Sequence, residues 1–411
     1  MEQQEQRERL IPREGLEQAR RLLAHPTIVV ITGIRRCGKS VFSYLLAKGT
    51  HFGYVTFNDE RLAGLTVKDM DTLLQALYEL QGEVPCIVLD EIQNVPGWEL
   101  FASRLRQTKQ VIVTGSNARL LSGELATHLT GRYIDRILFP FSFREFLEYK
   151  GIKPSVVYTT KERAAMLRSI EDYMNNGGFP EVQTFGRIVL PRIYEDVLTK
   201  DILLRHHIRH QEPLKKLAGW LMSNVGKEAT YQKLGTALGI RHPATVSKWI
   251  AAMEQAYLFF RLERFSFSLK QQSIAPKKFY PVDPGMASAL GFRFSEDRGR
   301  LMEACVAIEL QRRKAADRPL EVYYWKDPQQ REVDFVLKKG SAVTELVQVT
   351  YARAQDDIRN REQEALVKAA KELRCRKLTI ITWDSEGEER AAGHTIQYIP
   401  LWKWLLAAYE A

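Results

Sequence analysis

The sequence predicts an α/β protein, and three observations carry that expectation. A glycine-rich stretch, Gly33-Ile34-Arg35-Arg36-Cys37-Gly38-Lys39-Ser40, lies between a β-branched run, "TIVVIT", and the helically spaced "SVFSYLLAKG". Further apolar runs, "GYVTFND", "CIVLDE" and "QVIVTGSN", are spaced widely enough to hold helices between them, and each ends on polar or acidic residues. Beyond about residue 150 the pattern changes twice, first to helices and then to a second strand and helix alternation. At 411 residues the chain is too long for one ordinary core.

The first strand, loop and helix fit G-x-x-x-x-G-K-[ST] in the setting that pattern requires. Gly33 and Gly38 let backbone N–H groups turn inward onto phosphate oxygens, and the helix N-terminus adds a positive partial charge. Arg35, Arg36, Cys37 and Val41 complete the nucleotide-binding stretch. Lys39 is expected to reach the β- and γ-phosphates, and Ser40 to ligate Mg²⁺. The "CIVLDE" strand closes on Asp90 and Glu91. Asp90 would hold Mg²⁺ through water or Ser40, and Glu91 would polarise the attacking water as general base. The next strand ends in Thr114, Ser116 and Asn117. A polar side chain there orients water against the γ-phosphate, with Asn117 the first choice and Ser116 the second. Asn58, ending the second strand, either holds Glu91 until a partner engages or is an ordinary turn residue. Arg132, after a glycine and before the strand "YIDRILF", is either a guanidinium supplied across a subunit boundary or a surface ion-pair residue.

These residues carry a resemblance. From about 20 to 150 the chain resembles the AAA+-type P-loop ATPases of the prokaryotic AAA-14, archaeal-ATPase-like group, through "GIRRCGKS", "CIVLDEIQNVPGW", "VTGSNARLL" and "GRYIDRILFPFSFREFL". The resemblance implies a parallel αβα sheet, ATP with Mg²⁺, and a homo-oligomer with shared sites. The strand and helix alternation independently predicts the doubly wound sheet.

Residues 151–215 read as a helical lid or connector. Within it "LPRIYEDVLTKDILLRHHIRH" has an apolar stripe and an Asp201–Arg205 spacing, and Arg205 is assigned a packing role in preference to phosphate sensing. Residues 216–295 predict a winged helix-turn-helix: "TYQKLGTALGI", a second helix entered near Pro243, the strand "RLERFSFSL" and the basic "KQQSIAPKKFYPVD". Thr245, Ser247 and Lys248 fall where groove or phosphate contacts occur, and Lys233, Arg241, Lys270, Lys277 and Lys278 would add backbone charge. The same fold also serves as a protein-binding module. Trp249, Ile250 and Met253 are assigned to its core.

Residues 296–411 order a helix bearing Glu303, a hairpin bearing Asp334, a strand with Gln348 and Thr350, a helix and a further strand. From Gly299 to Trp383 this order resembles the restriction-endonuclease-like fold of the DUF4143 part of the same ATPase family. The resemblance implies that Glu303, Asp334 and an acid-x-Lys triplet would bind Mg²⁺ and activate water. The triplet here is Gln348-Val349-Thr350, which lacks both the acid and the cation, so a vestigial nuclease is expected. Glu345, Lys338 and Lys339 are the residues that would have to substitute.

Four scattered cysteines, Cys37, Cys86, Cys305 and Cys375, form no metal-like pair and suit a reduced, cytoplasmic setting. No apolar run approaches the ~20 residues of a membrane span, and the charged N-terminus has no secretory h-region. A net charge of +10 favours a polyanionic partner. The leading functional expectation is an ATP-hydrolysing multimer that binds duplex or branched DNA and remodels or moves along it. The alternative is a nucleotide-dependent signalling or defence switch acting on a protein partner. Nuclease activity is the least favoured.

Overall fold

The computed structural model describes residues 10–121, 132–155, 157–291, 298–352 and 360–407. The chain divides into two compact units, 1–140 with 255–257, and 141–254 with 258–411.

The first unit is built on five parallel strands: β1 (Ile28–Thr32), β2 (Phe52–Thr56), β3 (Cys86–Asp90), β4 (Gln110–Gly115) and β5 (Tyr133–Ile137). Their spatial order is β2-β3-β4-β1-β5. Sequence patterning follows from position in that order. The inner strands β1 and β3 are buried at every residue, as required of parallel strands covered on both faces. The edge strand β2 alternates half-buried and buried, and β5 at the other edge is half-buried throughout. One face packs Val30, Val88's neighbours Ile87 and Leu89, and Val113 against Met70, Leu77, Trp98 and Phe101 from the helices Met70–Gln81 and Trp98–Leu105. The order seats β4 between the glycine-loop strand and the acid-bearing strand, so the ends of all three open onto one place.

The second unit begins with helices. Thr160–Asn176 starts in a capping box, with Thr159 and Glu162 each bonding the other's backbone N–H. The helix Leu190–Asp196 runs on into a π-helical stretch, Val197–Leu204, which buries Asp201 and brings it 3.5 Å from Arg205. The helices Tyr231–Leu238 and Pro243–Gln255 are separated by a short turn, where Gly239 takes a left-handed conformation (φ 68°). Val246, Trp249, Ile250 and Met253 face inward.

An eight-stranded mixed sheet completes the unit. Its strands are β6 (Phe259–Arg264), β7 (Lys278–Pro281), β8 (Leu320–Lys326), β9 (Glu332–Lys339), β10 (Ala342–Val349), β11 (Leu378–Thr382), β12 (Gly387–Ala391) and β13 (His394–Pro400), in the order β12-β13-β11-β10-β9-β8-β6-β7. The helix Asn360–Leu373 covers one face, where Leu366 and Ala369 meet Val336, Leu346 and Ile380. The helix Arg298–Ala316 packs against β8 and β10. The expected hairpin exists as the antiparallel pair β6–β7, but it is not an independent wing. A helix, Leu269–Ile274, interrupts it, and β6 pairs in parallel with β8, so both strands extend the large sheet. Sequence could not show that pairing because β6 and β8 are far apart in the chain.

Candidate functional site

The end of β1 turns into the loop at Gly33 (φ 148°), where a Cβ would lie 2.1 Å from the Leu138 carbonyl oxygen. Gly38 (φ 99°) caps the helix Lys39–Ala47, and Arg36 is also left-handed (φ 67°). A side chain at Gly33 is therefore excluded by backbone, and the loop is committed to an inward-turned course. Its rear is fastened by Arg13, which is buried and donates from Nη1 to the Cys37 carbonyl (3.0 Å) and from Nη2 to the Phe139 carbonyl (2.7 Å). Cys37 is fully buried with its Sγ 3.2 Å from the Leu138 oxygen, and burial pushes its thiol up. It supports the loop by packing, not as a reactive thiolate.

Lys39 is 5% exposed. Its Nζ donates to the carbonyls of Gly33 and Ile34, both at 3.2 Å, and lies 3.5 Å from Glu91 Oε1. Asp90 is surrounded by hydroxyls. Ser40 Oγ is 3.0 Å from Oδ1, Thr114 Oγ1 donates to Oδ1 at 2.6 Å, and Thr56 Oγ1 donates to Oδ2 at 3.2 Å. Thr114 also accepts from the Glu91 N–H at 3.0 Å. Glu91 itself is left-handed (φ 54°), a strained position for a glutamate, and the turn aims its carboxylate back toward Lys39. Burial alone would raise that carboxyl, but Lys39, Gln93 and Arg35 outweigh it and hold it below the usual range. Glu91 is thus an ionised carboxylate in a dry setting, the form a proton acceptor needs.

The structure brings Lys39, Ser40, Asp90 and Glu91 into one site. Ser116 and Asn117 are buried directly after β4, and Ser116 hydrogen-bonds Glu91. Of its two readings Asn58 fits the turn residue: it accepts from Asn94 Nδ2 at 3.4 Å, and the residue on Glu91 is Gln93, whose Nε2 donates to Glu91 Oε2 at 2.5 Å. Gln93 Oε1 is buried and has no hydrogen-bond partner among the described residues. Arg132 is exposed at the start of β5, with its backbone oxygen accepting from the Ile28 N–H. Sequence reasoning also missed Arg13 and Thr56. Arg13 lies outside the motif, and Thr56 points at Asp90 only because β2 and β3 are neighbours.

Gly33, Gly38, Lys39 and Ser40 with Arg35, Arg36, Cys37 and Val41 fit a nucleotide triphosphate, because the positive-φ turns at Gly33, Arg36 and Gly38 lead the loop straight into the N-terminus of the helix Lys39–Ala47, whose first N–H groups suit phosphate oxygens. Ser40 and Asp90 supply the hard oxygens that suit Mg²⁺, which neutralises phosphate charge when bound.

Residues 25–147 match the AAA domain family AAA_14, residues 167–297 match a domain of unknown function, DUF8612, and residues 298–404 match another, DUF4143. An uncharacterized protein of Methanocaldococcus jannaschii is 31% identical over 399 residues, spanning 92% of this chain and 88% of that protein. An uncharacterized protein of Haemophilus influenzae is 31% identical over 344 residues, spanning 79% and 82%. The chain belongs to the AAA-14/DUF4143 ATPase family. Among solved structures, a Walker-type ATPase of Pyrococcus abyssi aligns over 68% of this chain and 96% of its own at 14% identity and a TM-score of 0.44. Cdc6p of Pyrobaculum aerophilum aligns over 66% and 90% at 13% identity and a TM-score of 0.26. Among the described residues no helix is long and apolar enough to cross a membrane.

The candidate DNA-contact residues of this AAA-14/DUF4143 protein divide by exposure. Lys233, Arg241, Lys248 and Lys270 are exposed, while Thr245 and Ser247 are half-buried. Lys277 and Lys278 are corrections. Lys277 is 6% exposed, with its Nζ donating to the carbonyls of Ser273 and Ala275, and burial pushes it below the usual lysine value. Lys278 is 2% exposed and bonded to carboxylates. Neither presents charge to a phosphate, because both lie where the β6–β7 pair joins the sheet and not on a projecting wing. Glu303 and Asp334 do come together, with Gln348 Oε1 accepting from the Asp334 N–H at 3.3 Å. Thr350 follows β10 and its N–H bonds the Ile381 carbonyl. None of the three substitutes replaces the missing triplet. Glu345 pairs with Lys377, Lys338 with Glu321 and Lys339 with Asp317.

Proposed function

We propose that this chain hydrolyses ATP with Mg²⁺ in its first unit and couples turnover to DNA. The observation that carries the reading is the convergence of Lys39 and Glu91 at 3.5 Å beside the hydroxyl-bound Asp90. In it, Lys39 exchanges its carbonyl partners for phosphate oxygens, and Ser40 and Asp90 hold the metal. Glu91 accepts the proton of water, oriented by Asn117 with Ser116 second, and Arg132 completes the site of a neighbouring copy in a homo-oligomer. Exposed Lys233, Arg241 and Lys248 favour a nucleic-acid surface on the helix pair, in line with the net charge of +10. Residues 1–150, 151–215, 216–295 and 296–411 are the working divisions of this reading.

The test is steady-state phosphate release with and without duplex and four-way-junction DNA, with Lys39→Ala and Glu91→Gln as controls. DNA-stimulated turnover lost in both variants supports the reading. Failure to bind any DNA at low salt, where phosphate contacts are strongest, sinks the DNA arm. A second reading, a nucleotide switch acting on a protein partner, is favoured by one observation: Glu91 is held by the Gln93 amide. Slow turnover indifferent to every DNA, with a stoichiometric protein partner on pull-down, would select it.

A further inference from the structure

Three carboxylates of the second unit converge on one ammonium. Lys278 Nζ lies 2.6 Å from Glu332 Oε1, 2.9 Å from Glu303 Oε1 and 3.6 Å from Asp334 Oδ1. Each acid has a second partner as well. Tyr280 donates its hydroxyl to Glu303 Oε1 at 2.6 Å, the Val349 N–H donates to Asp334 Oδ2 at 2.9 Å, and Lys326 Nζ lies 3.3 Å from Glu332 Oε2. The Lys278 side chain is 3% exposed and those of Glu303 and Asp334 are 15% and 10%. Burial opposes the charge on Lys278, yet the surrounding acids outweigh it and raise its proton affinity well above the lysine norm.

The resemblance of residues 299–383 to restriction endonucleases implies a divalent metal on Glu303 and Asp334. The residues present do not fit one. Carboxylate-bound Mg²⁺ or Ca²⁺ sits roughly 2.0–2.6 Å from its oxygens, which here would place it on the ammonium nitrogen. The third-strand ligand is the amide Gln348, already engaged by the Asp334 N–H. As the acids stand around the Lys278 ammonium, no group of three His, Cys, Asp or Glu among the described residues is placed to hold a metal ion.

We propose that Lys278 is a built-in replacement for that metal, its ammonium filling the cation position formed by Glu303, Glu332 and Asp334. The C-terminal fold is then complete without a divalent ion. This does not depend on ATP hydrolysis in the first unit. The chain supplies the cation from β7, a strand outside the stretch that resembles nucleases, so the substitution is invisible to the motif itself.

The test titrates Mn²⁺, which favours carboxylate ligands, into the full chain without nucleotide and reads unbound Mn²⁺ by electron paramagnetic resonance. Every protein carries Asp90→Asn to silence the first unit. The parental chain should bind no Mn²⁺ at the cluster. Lys278→Met should gain one ion, lost again with Asp334→Asn, and Lys278→Arg should gain none. Mn²⁺ binding by the parental chain that Asp334→Asn abolishes would overturn the proposal, as would a folded Lys278→Met that gains nothing. Should Lys278→Met not fold, the parental melting curve decides. A Mn²⁺-induced rise in Tm that needs Asp334 overturns the proposal, and an unmoved Tm supports it.

Discussion

Lys39 and Lys278 are both buried and both lie beside acids, yet they are held in opposite ways. Lys39 rests on two neutral carbonyls at 3.2 Å and stands 3.5 Å from its carboxylate. Lys278 has two carboxylates within 2.9 Å and a third at 3.6 Å. Both sets are assisted by the ammonium charge, but a carboxylate partner adds a full opposite charge where a carbonyl adds only a dipole. Lys39 can therefore leave its present partners for a phosphate at small cost, whereas no incoming anion offers Lys278 more than it has. Burial of a lysine says little about ligand binding; the charge of its resting partners says much.

The largest effect expected is at Lys278. Lys278→Met takes the shared ammonium from buried Asp334 and from half-buried Glu303 and Glu332, of which Glu332 alone keeps a lysine, Lys326, and the second unit should lose about 3–5 kcal/mol in urea unfolding. A loss under about 1 kcal/mol would mean the acids shed their charge by taking protons and would dissolve the contrast. At Lys39 the balance reverses. Lys39→Ala should lower ATP turnover roughly a hundredfold or more, while destabilising its own unit less than Lys278→Met destabilises the other. The reason is that Glu91 keeps Gln93 and Ser116.

Asp283 supplies a third arrangement, a buried acid held by backbone N–H groups, whose proton affinity burial raises. It accepts from the N–H groups of Gly178 at 2.7 Å and Met286 at 3.3 Å, and burial pushes its carboxyl up to about 6 from an ordinary 3.8. Between those values the folded chain keeps a proton that the unfolded chain has released. The contribution of Asp283 to stability is therefore full below the unfolded value and declines as pH rises from about 4 to about 6. Measured against Asp283→Asn, the stability of the parent should drop by about 3 kcal/mol across that window. A flat difference would show that the two N–H donors keep the carboxylate ionised. The smallest effect is at Gln93. Gln93→Ala lifts a restraint of about 1.5 kcal/mol from Glu91, and basal turnover should rise by up to roughly tenfold. A fall would instead make Gln93 a residue that positions the base.

The nucleotide site was legible because its parts are short and contiguous. Glycine loop, lysine and hydroxyl come within eight residues, and Asp90-Glu91 closes an apolar run that only a buried strand explains. Gln93 was also in plain view two residues later, but its role needs the left-handed turn at Glu91 that swings both side chains to one side. The second unit was less legible. Its helices and strands announce themselves by period, and Trp249, Ile250 and Met253 are buried as their spacing implies. "PKK" reads as exposed charge, however, because the sequence shows the charge of Lys277 and Lys278 and not the pairing of Lys277 with Ala229 and of Lys278 with Leu262, nor the carboxylates of Glu303 and Glu332 against Lys278.

Thr114 joins the two acids of the first unit through a single oxygen, donating to Asp90 and accepting from the backbone of Glu91. Neither acid can be re-aimed by itself. A substitution such as Thr114→Val, or any tilt of β4, would shift both acids in the same stroke. On the proposed hydrolytic reading, metal grip and water activation therefore share one adjustable point, the Thr114 hydroxyl.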